Sequence, residues 1–375
     1  MNALESDVQA LLDQYVERGA ERGLQAAVYR RGELVADAVA GIADATTGRP
    51  VTADTPFFAT STGKGVTATV VHVLAERGAL RYDTRIAELW PEFAAKGKGA
   101  ATVADALTHS VGVPGLPVDL TPDAFLDWDG MCALIAGAKP WWEPGTRTGY
   151  HAQTFGWIVG EVVRRATGRR ISQVLRDEVA GPLGVADELF FGVPAEHIGR
   201  LARLEEQPAP EGAPAAEEAA FGEPAEAHDG WVWAPPACMP TAEYGNRADI
   251  MRTDVPAGAT MTARAVARMY ASLMHEVDGV RLLPPSRLAA ATEVVVAGDD
   301  EIIGMPVRRA LGYARDGLGV EEGSETVFGM AGSGGCAAYA DLATGICVAV
   351  MKNTNTYGDF SVYDEVVRTV AKHLR

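Results

Sequence analysis

The sequence predicts an α+β fold, an α/β sandwich in which an antiparallel β-sheet is flanked by N- and C-terminal helices and interrupted by an inserted, mainly helical domain. Three observations predict it. The chain opens as one amphipathic helix followed by two strands, closes as a run of strands followed by one helix, and carries helical periodicity and long loops between. Sequential strands joined by short glycine-containing turns, such as Ala343-Thr344-Gly345, indicate antiparallel pairing. Residues 1–85 and 261–375 are therefore read as two halves of one α/β domain, with residues 86–260 inserted as a helical domain.

Taken in order, caps and periodicity place a helix at about 3–20, strands near 25–30 and 34–41, and a helix from Ser61 to about 78. Within the insertion, a helical pattern runs from Gln153 through Ile158, Val159, Val162 and Val163 to Gly168. Strands return near 308–315, 326–331, 335–341 and 345–352, and a last helix covers about 360–374. The chain contains no internal repeat and no GxGxxG fingerprint.

A length of 375 residues exceeds the usual single-domain size, and interleaved halves account for it. Hydrophobic content of 47% with 41 Gly and 21 Pro suits a loop-rich globular enzyme. The net charge of −17 argues against nucleic acid or an anionic membrane surface as partner. The four cysteines, at 132, 238, 336 and 347, form no C-x-x-C pair and share no zinc-like spacing with histidine, so they read as buried thiols and no metal or other cofactor is implied. The start Met1-Asn2-Ala3-Leu4-Glu5-Ser6-Asp7 is acidic and leads into an amphipathic helix, unlike a secretory signal. With no run approaching about eighteen apolar residues, a cytoplasmic protein without a membrane partner is expected.

The chemistry begins at Ser61-Thr62-Gly63-Lys64, which opens an apolar helix. Residues three apart on a helix share a face, so Lys64 reaches the Ser61 hydroxyl if Ser61 sits in the first turn. The unsatisfied amides and positive dipole end of that turn favour an alkoxide at Ser61 and a neutral amine at Lys64. Taken alone, a Ser followed three residues later by a Lys reads more naturally as a helix cap and a solvated cation. Two further segments change the weighing. Pro140-Trp141-Trp142-Glu143-Pro144-Gly145-Thr146-Arg147-Thr148-Gly149-Tyr150-His151-Ala152 is a loop that presents Tyr150 just before a buried helix. Val327 to Tyr339 reads as a strand, a glycine-rich turn through Gly332-Ser333-Gly334-Gly335, and a return strand.

With these three segments in this order, the chain resembles the serine β-lactamase and penicillin-binding-protein superfamily, specifically its class C β-lactamase-like esterases and acyltransferases. The resemblance rests on Ser61-x-x-Lys64, the E-P-G-T-x-x-x-Y loop at 143–150, and the run Ala106-Leu107-Thr108-His109-Ser110-Val111-Gly112-Val113-Pro114. Leu80-Arg81-Tyr82-Asp83-Thr84 and Ala180-Gly181-Pro182-Leu183-Gly184 extend it over nearly the whole chain. It implies the β-lactamase/transpeptidase-like fold, Ser61 as acylated nucleophile, Lys64 as its base, and Tyr150 as the phenol that assists proton transfer. It implies an oxyanion hole made of the backbone amides of Ser61 and Ser333, which survive side-chain replacement. Two positions depart from the family. Ala152 stands where an Asn commonly binds substrate amides, and Met330-Ala331-Gly332 replaces Lys-Thr-Gly or His-x-Gly. Met cannot donate a hydrogen bond or pair with a carboxylate, so acyl transfer looks intact while recognition of a β-lactam carboxylate looks lost.

Other features carry plainer readings. Residues 205–227, rich in Ala, Pro and Glu, read as a solvated loop, or else as an acidic flap admitting amine-bearing acceptors. Trp231 and Trp233 follow it, either packed in a core or lining a pocket for an acyl group. His109 reads as a packing residue and His151 as a group supporting Tyr150. Ser333 is a rival nucleophile, but Ala331-Gly332-Ser333-Gly334-Gly335 lies between strands and is not a G-x-S-x-G elbow. The expected function is two-step acyl transfer from an ester or activated amide, with a small-molecule acyl donor. Water as acceptor makes an esterase, and an alcohol or amine makes an acyltransferase or amide-forming transacylase. The remaining alternative is a catalytically inactive binding protein, against which the intact Ser61, Lys64 and Tyr150 count.

Overall fold

The structure, a computed structural model, describes residues 2–207, 228–315 and 325–374. Six antiparallel strands form the main sheet, in the order Val327–Ala331, Ala337–Asp341, Ile346–Lys352, Gly23–Arg30, Glu33–Asp44, Arg49–Pro50. The two ends of the chain meet at its centre, where Gln25 faces Met351 and Val28 faces Val348. Alternation along Gly23–Arg30 divides the core. Leu24, Ala26 and Val28 point to one face, with Val8, Leu12, Val366 and Val370, while Ala27 and Tyr29 point to the other, with Val66, Val70 and Tyr270.

The first face is covered by the terminal helices, Ala3–Glu17 and Ser361–Leu374, which pack on each other. Leu4, Val8, Leu12 and Tyr15 are the buried stripe of the first, and its end is capped by the Asn2 side chain, which accepts from Glu5 N at 2.9 Å. Helix Ala263–Met274 lies against the second face. Beyond it, helix Gly63–Glu76 is buried at every position but its last. That explains the apolar composition of Val66 to Ala75 all round the helix. It packs against Thr154–Thr167, whose end at Gly168, with φ of 70°, is the left-handed glycine stop its sequence pattern predicts. Among the described residues no helix is long and apolar enough to cross a membrane.

Several boundaries differ from expectation. The first helix stops at Glu17, followed by Gly19 with φ of 71°. The Ser61 helix begins as a 3-10 turn, Thr60–Thr62, before the α-helix proper. The strand expected at 308–315 is instead the second arm of a hairpin, Val296–Asp299 with Pro306–Arg309. The chain then turns at Gly312, with φ of 83°, and only Ala314 bridges onward, to Gly329. Of the expected loop 205–227, Glu205–Glu206 is a short strand parallel to Thr354–Asn355, held there by Asn355 Nδ2, which donates to the Glu206 carboxylate at 3.0 and 3.1 Å. Residues 208–227 lie outside the described residues.

Candidate active site

Three segments meet at one cavity of about 260 Å³: the Thr60–Thr62 turn, the loop from Tyr150 to Gln153, and Met330 to Ser333 at the end of a sheet strand. The first is held by strand Phe57–Phe58, which pairs with Thr260–Met261, and by Ala59 N donating to Ala259 O at 2.9 Å. Thr60, at φ of 44°, adopts a left-handed conformation that a β-branched residue rarely takes. Ser61 follows it, lines the cavity and is part-exposed.

Lys64 is fully buried, and its Nζ lies 2.9 Å from Ser61 Oγ, 2.8 Å from Ala152 O and 3.1 Å from Ala257 O. Burial pushes its pKa down, and the Tyr150 phenol works against that shift without reversing it. A neutral amine has two hydrogens and one lone pair. Donating the hydrogens to the two carbonyls leaves the lone pair facing the Ser61 hydroxyl, the arrangement a general base requires. The Ala152 contribution is thus its carbonyl.

Tyr150 lies with its ring centroid 4.9 Å from Lys64 Nζ. His109, at φ of 59°, sets its ring 5.0 Å from that of Tyr150 and accepts from His151 N at Nδ1, 3.0 Å. His151, the histidine favoured from sequence, is tied elsewhere. Its Nδ1 donates to Gly149 O at 2.6 Å and its Nε2 accepts from Val113 N at 3.1 Å. Burial holds its pKa down at about 4, so the ring is a neutral brace of the loop. His109, read as packing, is the ring that touches Tyr150.

The glycine-rich turn approaches Ser61 closely. Thr62 Oγ1 donates to Cys336 O at 3.0 Å, and Gly332 N donates to the same carbonyl at 2.8 Å. A Cβ on Gly332 would lie 2.2 Å from Thr60 Oγ1 and 2.4 Å from Ala59 O, so only glycine fits there. Ser61 and Ser333 both line the cavity, and no backbone acceptor outside helices and strands takes either N–H among the described residues. The Ser333 side chain shares the cavity, but among the described residues no lysine or histidine is bonded to it.

The cavity wall is largely apolar. Met330, Ala331, Gly332, Trp233 and Ala152 line it, together with Ile303, Tyr339 and Phe360, which no sequence signal marked. Trp231 does not line it. Its strand pairs Trp231–Val232 with Leu116–Pro117 and packs the ring on the main core, so of the two tryptophans only Trp233 faces the site. No arginine or lysine is in the cavity wall among the described residues; Arg308 lines an adjoining cavity and Arg252 a distant one. The four thiols are buried, with burial pushing Cys336 up to about 11 and Cys238 up to about 12, so they do not compete as nucleophiles.

The beta-lactamase family model matches residues 8–372. The chain is 34% identical over 334 residues, 87% of its own length and 76% of the relative's, to the esterase/beta-lactamase LipL of Mycobacterium tuberculosis. The crystal structure of a family VIII carboxylesterase matches with a TM-score of 0.85 at 30% identity, over 99% of this chain and 98% of that one. A penicillin-binding protein homolog from Caulobacter crescentus matches at 0.84 and 31% identity, again over 99% and 98%.

Proposed function

The chain belongs to the beta-lactamase family and is a serine hydrolase, and from that premise we propose that it is a carboxylesterase working through an acyl-enzyme on Ser61. The observation that carries this reading is the threefold contact of Lys64 Nζ with Ser61 Oγ and two carbonyls. Lys64 takes the hydroxyl proton as Ser61 Oγ attacks the ester carbonyl carbon. The electron pair moves to the carbonyl oxygen, which receives hydrogen bonds from the Ser61 and Ser333 amides. Collapse expels the alcohol oxygen, which takes the proton from the Lys64 ammonium with Tyr150 assisting. Water repeats the sequence on the acyl-enzyme and releases the acid.

A neutral ester suits this site because its wall offers apolar surface and, among the described residues, no cation to pair with a carboxylate. The same wall gives water few partners, which favours a second reading in which an alcohol or amine intercepts the acyl-enzyme. A burst of nitrophenol from nitrophenyl acetate, with a matching acetyl mass gain, is the expected result for the esterase. Undiminished turnover by Ser61→Ala, or a fluorophosphonate that inactivates the enzyme without labelling Ser61, contradicts it. Addition of primary amines or alcohols decides the second reading, which fails if free acid remains the only product.

A further inference from the structure

Asp300 was marked by no sequence pattern, yet its side chain has no exposed surface and sits behind the catalytic loop. Its Oδ1 accepts from Tyr150 N at 3.1 Å, from Ile302 N at 2.8 Å and from Ile303 N at 2.9 Å. Its Oδ2 pairs with Arg309 at 2.5 Å, and Arg309 Nη1 donates to Thr148 Oγ1, which in turn donates to Thr108 O at 2.9 Å. Glu301 N donates to Thr148 O at 2.9 Å, closing the loop on itself. One carboxylate therefore ties the backbone of Tyr150 to Ile303, a wall residue of the substrate cavity, and anchors both to the hairpin arm Pro306–Arg309.

We propose that Asp300 is the positioning residue of this active site, fixing the Tyr150 phenol and the Ile302–Ile303 wall as one unit against Arg309. A fully buried carboxylate with three amides and one guanidinium around it meets its hydrogen-bonding capacity, so the arrangement is rigid. Rigidity at Tyr150 matters because proton transfer depends steeply on distance and a small displacement is costly. The carboxylate touches no reacting atom and acts only through Tyr150 and Ile303. The inference rests on the reading of Tyr150 as the proton-transfer phenol.

Its test is a double-mutant cycle between Asp300 and Tyr150. Asp300→Ala leaves the Arg309 cation buried and unpaired, so it is combined with Arg309→Met, and Asp300→Asn serves as a milder variant. Rates are expressed per site titrated with a fluorophosphonate, which removes any loss of folded protein. The expected result is a kcat at least tenfold lower with a smaller change in KM, and no further loss beyond twofold when the same changes are added to Tyr150→Phe. An unchanged kcat per titrated site, or losses that multiply, overturns the proposal. The 13C spectrum of ring-labelled tyrosine supplies a readout independent of catalysis. The Tyr150 resonance, assigned by its loss in Tyr150→Phe, is expected to shift or broaden in Asp300→Asn and stay fixed in Arg81→Ala, a change at an exposed side chain paired with Asp83, and an unmoved resonance in Asp300→Asn overturns the proposal. If Tyr150→Phe keeps wild-type rates, or Ser61 does not label, the esterase mechanism falls and the spectrum alone decides the role of Asp300.

Discussion

Lys64 Nζ lies 2.9 Å from Ser61 Oγ, and its other two contacts are backbone carbonyls with no carboxylate among them. Burial therefore favours the neutral amine, and this has a consequence for stability as well as for rate. In the unfolded chain the amine titrates near 10.5, and in the folded protein below that. Between the two values the unfolded chain binds more protons, so this group's contribution is complete above 10.5 and is lost as pH falls toward the folded value. Lys64→Met lacks that dependence. Wild type is expected to gain on Lys64→Met by up to about 1.4 kcal/mol per pH unit as pH rises through that window, while Lys64→Met acylates at no measurable rate. Urea unfolding of both proteins from pH 7 to 10 checks this, and a difference independent of pH refutes it.

Gly332→Ala tests the packing of the glycine-rich turn on the nucleophile turn. The new methyl would lie 2.4 Å from a backbone oxygen, so the Ser333 amide must move. Loss of one oxyanion donor costs about 10²–10³ in rate, and a fall of at least tenfold in kcat/KM on nitrophenyl acetate is expected. Wild-type kcat/KM in a folded Gly332→Ala would remove the Ser333 amide from the mechanism.

Penicillins and cephalosporins should be poor substrates beside short-chain esters, because Met330 and the rest of the cavity wall leave their carboxylate unpaired. Comparison of kcat/KM on nitrocefin and on nitrophenyl acetate measures it. Met330→Lys is expected to raise the nitrocefin value relative to the ester. Faster turnover of nitrocefin by the unaltered protein would show that a cation reaches the site after all.

Acid should destabilise the protein partly through His151. Its folded pKa, about 4, lies below the 6.5 of the unfolded chain, so its contribution is intact above pH 6.5 and is lost as pH falls toward 4. His151→Gln is expected to flatten the fall in stability between pH 6.5 and 4 by up to about 1.4 kcal/mol per pH unit. Denaturant midpoints across that range supply the comparison, and parallel curves would contradict it.

What could be read in the sequence was what depends on local spacing. The three-residue interval between Ser61 and Lys64, the loop that presents Tyr150, and the glycine-rich turn each encode their geometry within a few residues. Sheet strands with short turns were legible for the same reason. Asp300 was not, because its meaning lies in a partner 150 residues away; the run Asp299-Asp300-Glu301 looks like any solvated acidic stretch. Trp231 and Trp233 looked equivalent, but the strand ends at Val232, so one follows the pairing and the other the cavity. His109 packs as its sequence suggests, on Tyr150 and Phe155; that one of its neighbours is Tyr150 was not legible, because it depends on the left-handed backbone at His109 and on a loop distant in sequence.

The central claim is that Ser61 carries the acyl group, and rapid-quench peptide mapping after mixing with a nitrophenyl ester tests it most directly. The account predicts a single acylated peptide, modified at Ser61, that is absent from a folded Ser61→Ala whose turnover has fallen by several powers of ten. Acylation mapped to Ser333 or to a cysteine, or full turnover by Ser61→Ala, would contradict it.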